Sequence, residues 1–205
     1  MVSLSTLEEI KDLRSVWPHE ALDFTPWLAD NIDLLADAVG LDITVDETES
    51  SVGDFNVDIY ASETGTDRKI IIENQLGDTD HDHLGKLITY ASGKSADVII
   101  WVVKHAREEH KAAVEWLNAH TDDKIAFFLS EIKLYRIGNS EPAVKFEIIE
   151  RPNDWAKEIK RRTIVVQDIK DALNTGQLLM TMHLTMLNLL NSLIGESHQL
   201  ITGWK

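Results

Sequence analysis

Apolar residues change their spacing along this chain, and each change marks an element. Residues 4–14 fit a short amphipathic helix, with Ser5 or Thr6 as N-cap and Glu8 and Glu9 in its first turn. A second helix is predicted from Thr25 to Val39: Thr25 caps it, Pro26 takes the first helical position, and Gly40 ends it. Its apolar positions Trp27, Leu28, Ile32, Leu35 and Val39 keep helical spacing. After Gly40 the period falls to two. Leu41, Ile43 and Val45 alternate with polar residues, as do Phe55, Val57 and Ile59, so both runs read as strands. Residues 62–67 form a turn, and Lys69 to Glu73 is apolar enough for a central strand. A helix near Asp80 to Ser92, ended by Gly93, leads to a buried strand, Asp97 to Val103. A helix from Arg107 to Ala119 follows, then strands at 125–129, 133–137 and 144–149. Alternating strands and helices after an antiparallel hairpin predict an α/β fold with a mixed sheet.

Arg151-Pro152-Asn153-Asp154 reads as a boundary, giving one domain over 1–155 and a helical extension over 156–205. Beyond it three of the four methionines fall at 180, 182 and 186, and no acid lies between Asp171 and Glu196. The segment 177–201 is apolar on more than one face, so it must be buried, against the domain or in a dimer seam. A homodimer is the expectation, because two copies would present two sites to a duplex.

Composition narrows the chemistry. The 205 residues contain no cysteine, which excludes disulfides, thiolate zinc sites and a cysteine nucleophile. No segment is long and apolar enough for a good membrane span, and the N-terminus lacks a signal-peptide pattern, so a cytoplasmic protein is expected. The net charge of −15 argues against gripping nucleic acid by simple electrostatics. Yet the excess is confined: residues 1–82 hold 20 acids and four bases, whereas 83–205 hold 15 acids and 16 bases. Such an excess serves solubility. It also lets some acids converge on a cation.

The hairpin supplies a pair. Centring the turn between Gly65 and Thr66 sets Asp58 opposite Glu73, and cross-strand partners share a face with β-carbons about 5 Å apart. Like charges so placed repel unless a cation lies between them, and two carboxylates suit a hard ion such as Mg²⁺. Gln75 lies on the Glu73 face. On the next helix His83, Lys86 and Tyr90 share one face. Lys86 there could stabilise a pentacovalent phosphate, or simply be a surface lysine. A misplaced turn would put the carboxylates on opposite faces and leave a solvated strand.

With these residues in view, Val57-Asp58-Ile59 followed by Ile71-Ile72-Glu73-Asn74-Gln75 resembles the D…ExK core of the PD-(D/E)XK nuclease superfamily. The run from Glu73 to Tyr90 resembles more specifically the nuclease-like region of bacterial proteins with a DUF4268 domain. Supporting pieces are Asp23 to Leu28, Val52 to Phe55, Glu109-His110 with Trp116 to Asn118, and Arg151 to Trp155, so the likeness spans roughly 16–157. It implies a restriction-endonuclease-like αβββαβ core with a mixed central sheet flanked by helices. It implies Mg²⁺-dependent phosphodiester cleavage, with Mn²⁺ as a substitute and DNA ahead of RNA as substrate. Asp58 and Glu73 would hold the metal, with Glu49 as a third acid. The lysine of ExK is Gln75 here, which can hold a water but carries no charge. Lys86 sits where a lysine migrated to the helix would be, and Lys86 with Tyr90 resembles the Q-x-x-x-Y motif of RecB-like nucleases. A catalytically weak binding or scaffold module of a bacterial defence or regulatory system is the competing implication.

Other chemistry is thinner. His81 and His83 are two apart, so on a helix they do not face each other, which disfavours a zinc or nickel site. His83 fits better as a neighbour of the scissile phosphate. Trp101 and Trp116 read as core anchors, and His105 and His110 have no evident partners. Lys157, Lys160, Arg161 and Arg162 form the basic cluster, read either as a basic helix end or linker or, through Lys157 and Arg161, as a contact for substrate phosphates.

Overall fold

Alternation in the middle of the chain becomes strand pairing, and the turn at Gly65 sets the register on which the candidate site depends. The computed structural model describes residues 4–152, apart from Asp54 and Asp123. Seven strands, β1 (Leu7–Glu9), β2 (Ile43–Val52), β3 (Phe55–Glu63), β4 (Lys69–Asp78), β5 (Val98–His105), β6 (Ala126–Ile137) and β7 (Ala143–Glu150), form one mixed sheet. Four helices accompany them: α1 (Thr25–Asp30), α2 (Ile32–Val39), α3 (His81–Lys94) and α4 (Glu108–His120). Strands β2, β3, β4, β5 and β6 are successive neighbours, β1 pairs with the far end of β6, and β7 takes the opposite edge of β6. The pairs β4–β5 and β5–β6 are parallel, because α3 and α4 serve as crossovers; the other pairs are antiparallel.

The parallel strands are covered on both faces, which is why they read as continuous apolar runs. Ile71, Ile99, Trp101 and Val103 pack with Leu87 and Tyr90 of α3 and Val114 of α4. The alternate residues Ile70, Ile72, Val98, Ile100 and Val102 are fully buried on the other side. There α1 and α2 contact β2, β3 and β7, and Thr25 at the start of α1 reaches Asn74 of β4. The domain is therefore layered helix–sheet–helix, as expected of an α/β fold.

Several elements differ from the sequence expectation. Residues 7–9 pair with β6 as β1 instead of forming a helix, and their side chains are exposed, so no apolar face was available to stabilise helix. The helix predicted over 25–39 is broken at Asn31, whose side chain bonds back to the Trp27 carbonyl at 2.8 Å. A π-helical turn, Glu20–Phe24, runs directly into α1, so Thr25 lies inside the helical stretch instead of capping it. Gly93 lies inside α3, and Ser95 ends the helix in the left-handed region. The two strands predicted at 125–129 and 133–137 are one strand, β6. Trp116 is 59% exposed, because the buried side of α4 carries His110 and Val114. Among the described residues no helix is long and apolar enough to cross a membrane. The basic cluster with Lys157 and Arg161, and the apolar segment 177–201, lie outside the described residues.

Candidate active site

The β3–β4 ladder pairs Ser62 with Lys69, Ala61 with Ile70, Tyr60 with Ile71 and Ile59 with Ile72, which is the register expected from a turn centred on Gly65-Thr66. Past Ile59 and Ile72, carboxylates enter the bonding between the strands. The Asp58 N–H donates to Glu73 Oε1 at 3.3 Å, and the Asn74 N–H donates to Asp58 Oδ2 at 2.7 Å. The Asn74 side-chain amide adds a bond to the same Asp58 oxygen at 3.1 Å and one to Thr25 Oγ1 at 2.7 Å. Each carboxylate thus has one oxygen fixed by a backbone N–H, and the other oxygen of each has no hydrogen bond among the described residues.

Burial sets the electrostatics. Glu73 is 3% exposed and Asp58 half-buried. Desolvation pushes Glu73 up to about 8, the neighbouring Asp58 charge adds to it, and the bond from the Asp58 N–H and the Lys86 charge oppose it. Desolvation likewise raises Asp58 to about 6, against the Asn74 bond, with Glu49 and Glu20 raising it further and Lys86 lowering it. Tyr90 is buried, and burial followed by the Glu73 and Asp58 charges raises its phenol. The pair therefore wants positive charge. It takes that as a proton or as a cation.

Glu49 lies at φ +54, a left-handed conformation rare for a residue with a side chain, in the part of β2 that faces Asp58: its neighbours Thr48 and Ser50 pair with Ile59 and Val57. Lys86 is exposed on α3, within electrostatic reach of both carboxylates. Of the other expected site residues, Gln75 and His83 turn elsewhere. The Gln75 amide donates to Asp80 Oδ2 at 2.6 Å, while Asp80 Oδ1 accepts from the His83 N–H and lies 2.8 Å from His83 Nδ1. Burial works against the Asp80 charge, but these bonds outweigh it and hold Asp80 well below the usual carboxylate range. This network caps α3 and so fixes the helix that carries Lys86 and Tyr90. Gln75 Oε1 is left buried without a partner among the described residues.

Two contributors escape the sequence reading. Glu20, on the π-helical turn, accepts from the Leu76 N–H at 2.5 Å and adds its charge near Asp58. The turn is seated by Trp17, Phe24 and Trp27, whose ring centroids lie 4.7–6.0 Å apart. Asn74 locks Asp58 and ties it to α1. His110 also has partners: it is buried, bonded through Nδ1 to Thr79 Oγ1 at 2.8 Å and through Nε2 to His81 Nδ1 at 3.3 Å. His105 Nδ1 lies 3.0 Å from Glu131 Oε1.

Among the described residues there is no group of three or more His, Asp or Glu that could hold a metal ion. Two carboxylates with a free oxygen each still suit Mg²⁺, which binds through one or two carboxylates and completes its shell with waters and substrate phosphate. No family model, curated protein or solved structure matches the chain.

Proposed function

We propose that the chain is a divalent-cation-dependent nuclease of the PD-(D/E)XK type, hydrolysing phosphodiester bonds in nucleic acid, with DNA ahead of RNA. The observation that carries this reading is the pair Asp58 and Glu73, buried where the β3–β4 ladder gives way to carboxylate bonds, with Lys86 within electrostatic reach. The order α2, β2, β3, β4, α3, β5 supports the finer assignment to a restriction-endonuclease-like αβββαβ core. Asp58 and Glu73 would hold Mg²⁺ or Mn²⁺, which when bound supplies Lewis-acid polarisation of a phosphodiester and a more acidic water.

The chain's own groups have definable parts. Asn74 and the Asp58 N–H hold the two carboxylates in position, leaving one oxygen of each for the ion. Lys86 offsets charge that develops on the phosphate oxygens, in the place of the cationic lysine that Gln75 cannot supply. Tyr90, held neutral, can donate its O–H toward the carboxylates. Glu49 and Glu20 make the site more negative and so strengthen its preference for a cation. Cleavage of varied single- and double-stranded DNA and RNA with Mg²⁺ or Mn²⁺, with Asp58→Ala in parallel, tests the reading. No cleavage of any substrate, or equal cleavage by the variant, overturns it.

A second reading has its own support. Gln75 is committed to Asp80, and no third acid joins Asp58 and Glu73 in a metal-sized group among the described residues. Both fit a nuclease-fold binding or scaffold module without turnover. Nucleic-acid binding that persists unchanged in Asp58→Ala, with no cleavage by either protein, is the result that favours it.

A further inference from the structure

The sheet has a notch beside the middle of β6. Strand β5 accompanies β6 as far as Val103 opposite Glu131, and β1 joins the same edge only at Glu9 opposite Tyr135. Residues 132–134 lie between the two neighbours, where the Ile10 N–H bonds the Leu134 carbonyl at 2.8 Å. The N–H and C=O of a strand residue point to the same edge, so the Leu134 N–H also faces this gap. A cavity of about 240 Å³ fills the notch, and Lys11, Lys104, Lys133, His105 and Glu9 line it. With a liquid-water share of about 30 Å³ per molecule, that is room for an oxyanion and its waters.

The charges of the lining do not cancel. Glu131 is buried beside the notch, where it binds Lys133 Nζ, the Ala106 N–H and His105 Nδ1. That neutralises Lys133 and orients His105, leaving its Nε2 for another partner. Lys11 and Lys104 are exposed and make no ion pair or hydrogen bond among the described residues, so Glu9 is the remaining countercharge. Lys11, Lys104 and His105 thus line one half-open notch beside the stretch of β6 that neither β5 nor β1 pairs. This happens in a chain whose first 82 residues carry only four bases, Lys11 among them.

We propose that the notch between β5 and β1 is a phosphate-binding site, held by Lys11, Lys104 and His105 against the open edge of β6. It stands apart from the carboxylate pair and does not depend on cleavage there. A phosphate group presents several acceptor oxygens to the two lysines, with His105 alongside, and charge-assisted bonds favour it over neutral ligands. The group comes either from free phosphate or from the backbone of a bound strand.

The test is amide NMR of the full chain titrated with inorganic phosphate in metal-free buffer. The expected result is saturable shifts at Lys104, His105 and residues 132–134. Removing both free cations, Lys11→Ala with Lys104→Ala, weakens binding about tenfold or more while the rest of the spectrum is retained. Lys104→Arg keeps it, and Asp58→Asn binds phosphate as the native chain does. A short single-stranded DNA that displaces phosphate from these amides identifies the strand backbone as the source; failure to displace it identifies free phosphate. Absent shifts, unchanged binding in the double alanine variant, or binding lost in Asp58→Asn overturns the proposal. None of these results depends on whether the protein cleaves.

Discussion

Replacing Glu73 by glutamine should flatten the pH dependence of stability and strengthen the fold at alkaline pH. In the native chain Glu73 keeps its proton up to about 8, whereas an unfolded chain releases it near the ordinary 4.5. Between these values the folded state binds more protons than the unfolded one. Stability is therefore complete below the unfolded value and is lost as pH rises through the folded one. A separation of more than three pH units at about 1.4 kcal/mol each sets a ceiling of about 5 kcal/mol. Water entry and small shifts of the pair reduce this, and about 2 kcal/mol between pH 5 and 8 is the working expectation. The amide oxygen of the introduced glutamine can still accept from the Asp58 N–H, as Glu73 Oε1 does, and the side chain never ionises. The assay is urea unfolding at pH 5, 6, 7 and 8 in chelator. With a slope of about 2 kcal/mol/M, the native midpoint should fall by about 1 M across the series, and that of Glu73→Gln by much less. Under the proposed metal-binding role of the pair, Mg²⁺ at pH 8 should restore the native midpoint and leave that of the variant unmoved. Parallel curves for the two proteins, or a variant less stable than the native chain at pH 8, would refute the assignment of a buried, charge-starved pair.

The other predictions test single links in the same structure. Under the nuclease reading, Lys86→Ala should lower the cleavage rate about a hundredfold in Mg²⁺ with a smaller change in KM, and an unchanged rate denies Lys86 any part in stabilising charge. Glu49→Gly should be about 1 kcal/mol more stable than Glu49→Ala by urea unfolding, because only glycine takes φ +54 without strain; equal stabilities would contradict the strained backbone. A Cβ on Gly93 would meet Val52 Cγ1 at 2.6 Å, so Gly93→Ala should lose about 1–2 kcal/mol despite its helix propensity. Adding Val52→Ala to that variant should recover much of the loss in thermal melts. Trp101→Ala should cost about 3–5 kcal/mol and Trp116→Ala under about 0.5 by chemical unfolding, since Trp101 is 1% exposed and Trp116 stacks on His120 in solvent.

Where sequence reading succeeded, one local physical constraint was dominant. The turn residues around Gly65 force a hairpin, the period of two fixes its faces, and together they locate Asp58 against Glu73. Buried runs such as 98–103 could hardly be anything but central strands. Where it failed, the deciding contact was distant. Residues 7–9 become a strand because β6 offers an edge more than 120 positions later. Gly93 resembles a helix terminator, but its lack of a side chain serves the approach of α3 to Val52. Trp116 and Trp101 have similar apolar bulk, and only the orientation of α4 sends one outward.

The site shows the same division between near and far. Asp58, Glu73 and Lys86 are separated by short, regular elements, so periodicity brings them into one neighbourhood. Glu20 reaches it from an irregular turn seated by three aromatic rings, and no spacing rule links it to Leu76, 56 positions away. Gln75 fails in the opposite sense: its strand position was right, but Asp80 captures its amide to cap the next helix. The charge of the site then explains why composition misleads. Glu20 and Glu49 bring more negative charge to a buried carboxylate pair opposed by Lys86, so a phosphate approaching without a counter-ion is repelled. Under the nuclease reading, the acidic excess of the first 82 residues makes the divalent ion the means of admitting phosphate. The phosphate site proposed at the β6 notch draws on other strands and on its own lysines, Lys11 and Lys104. A nuclease built this way should bind nucleic acid weakly in chelator, with Mg²⁺ restoring the affinity in the native chain and not in Glu73→Gln.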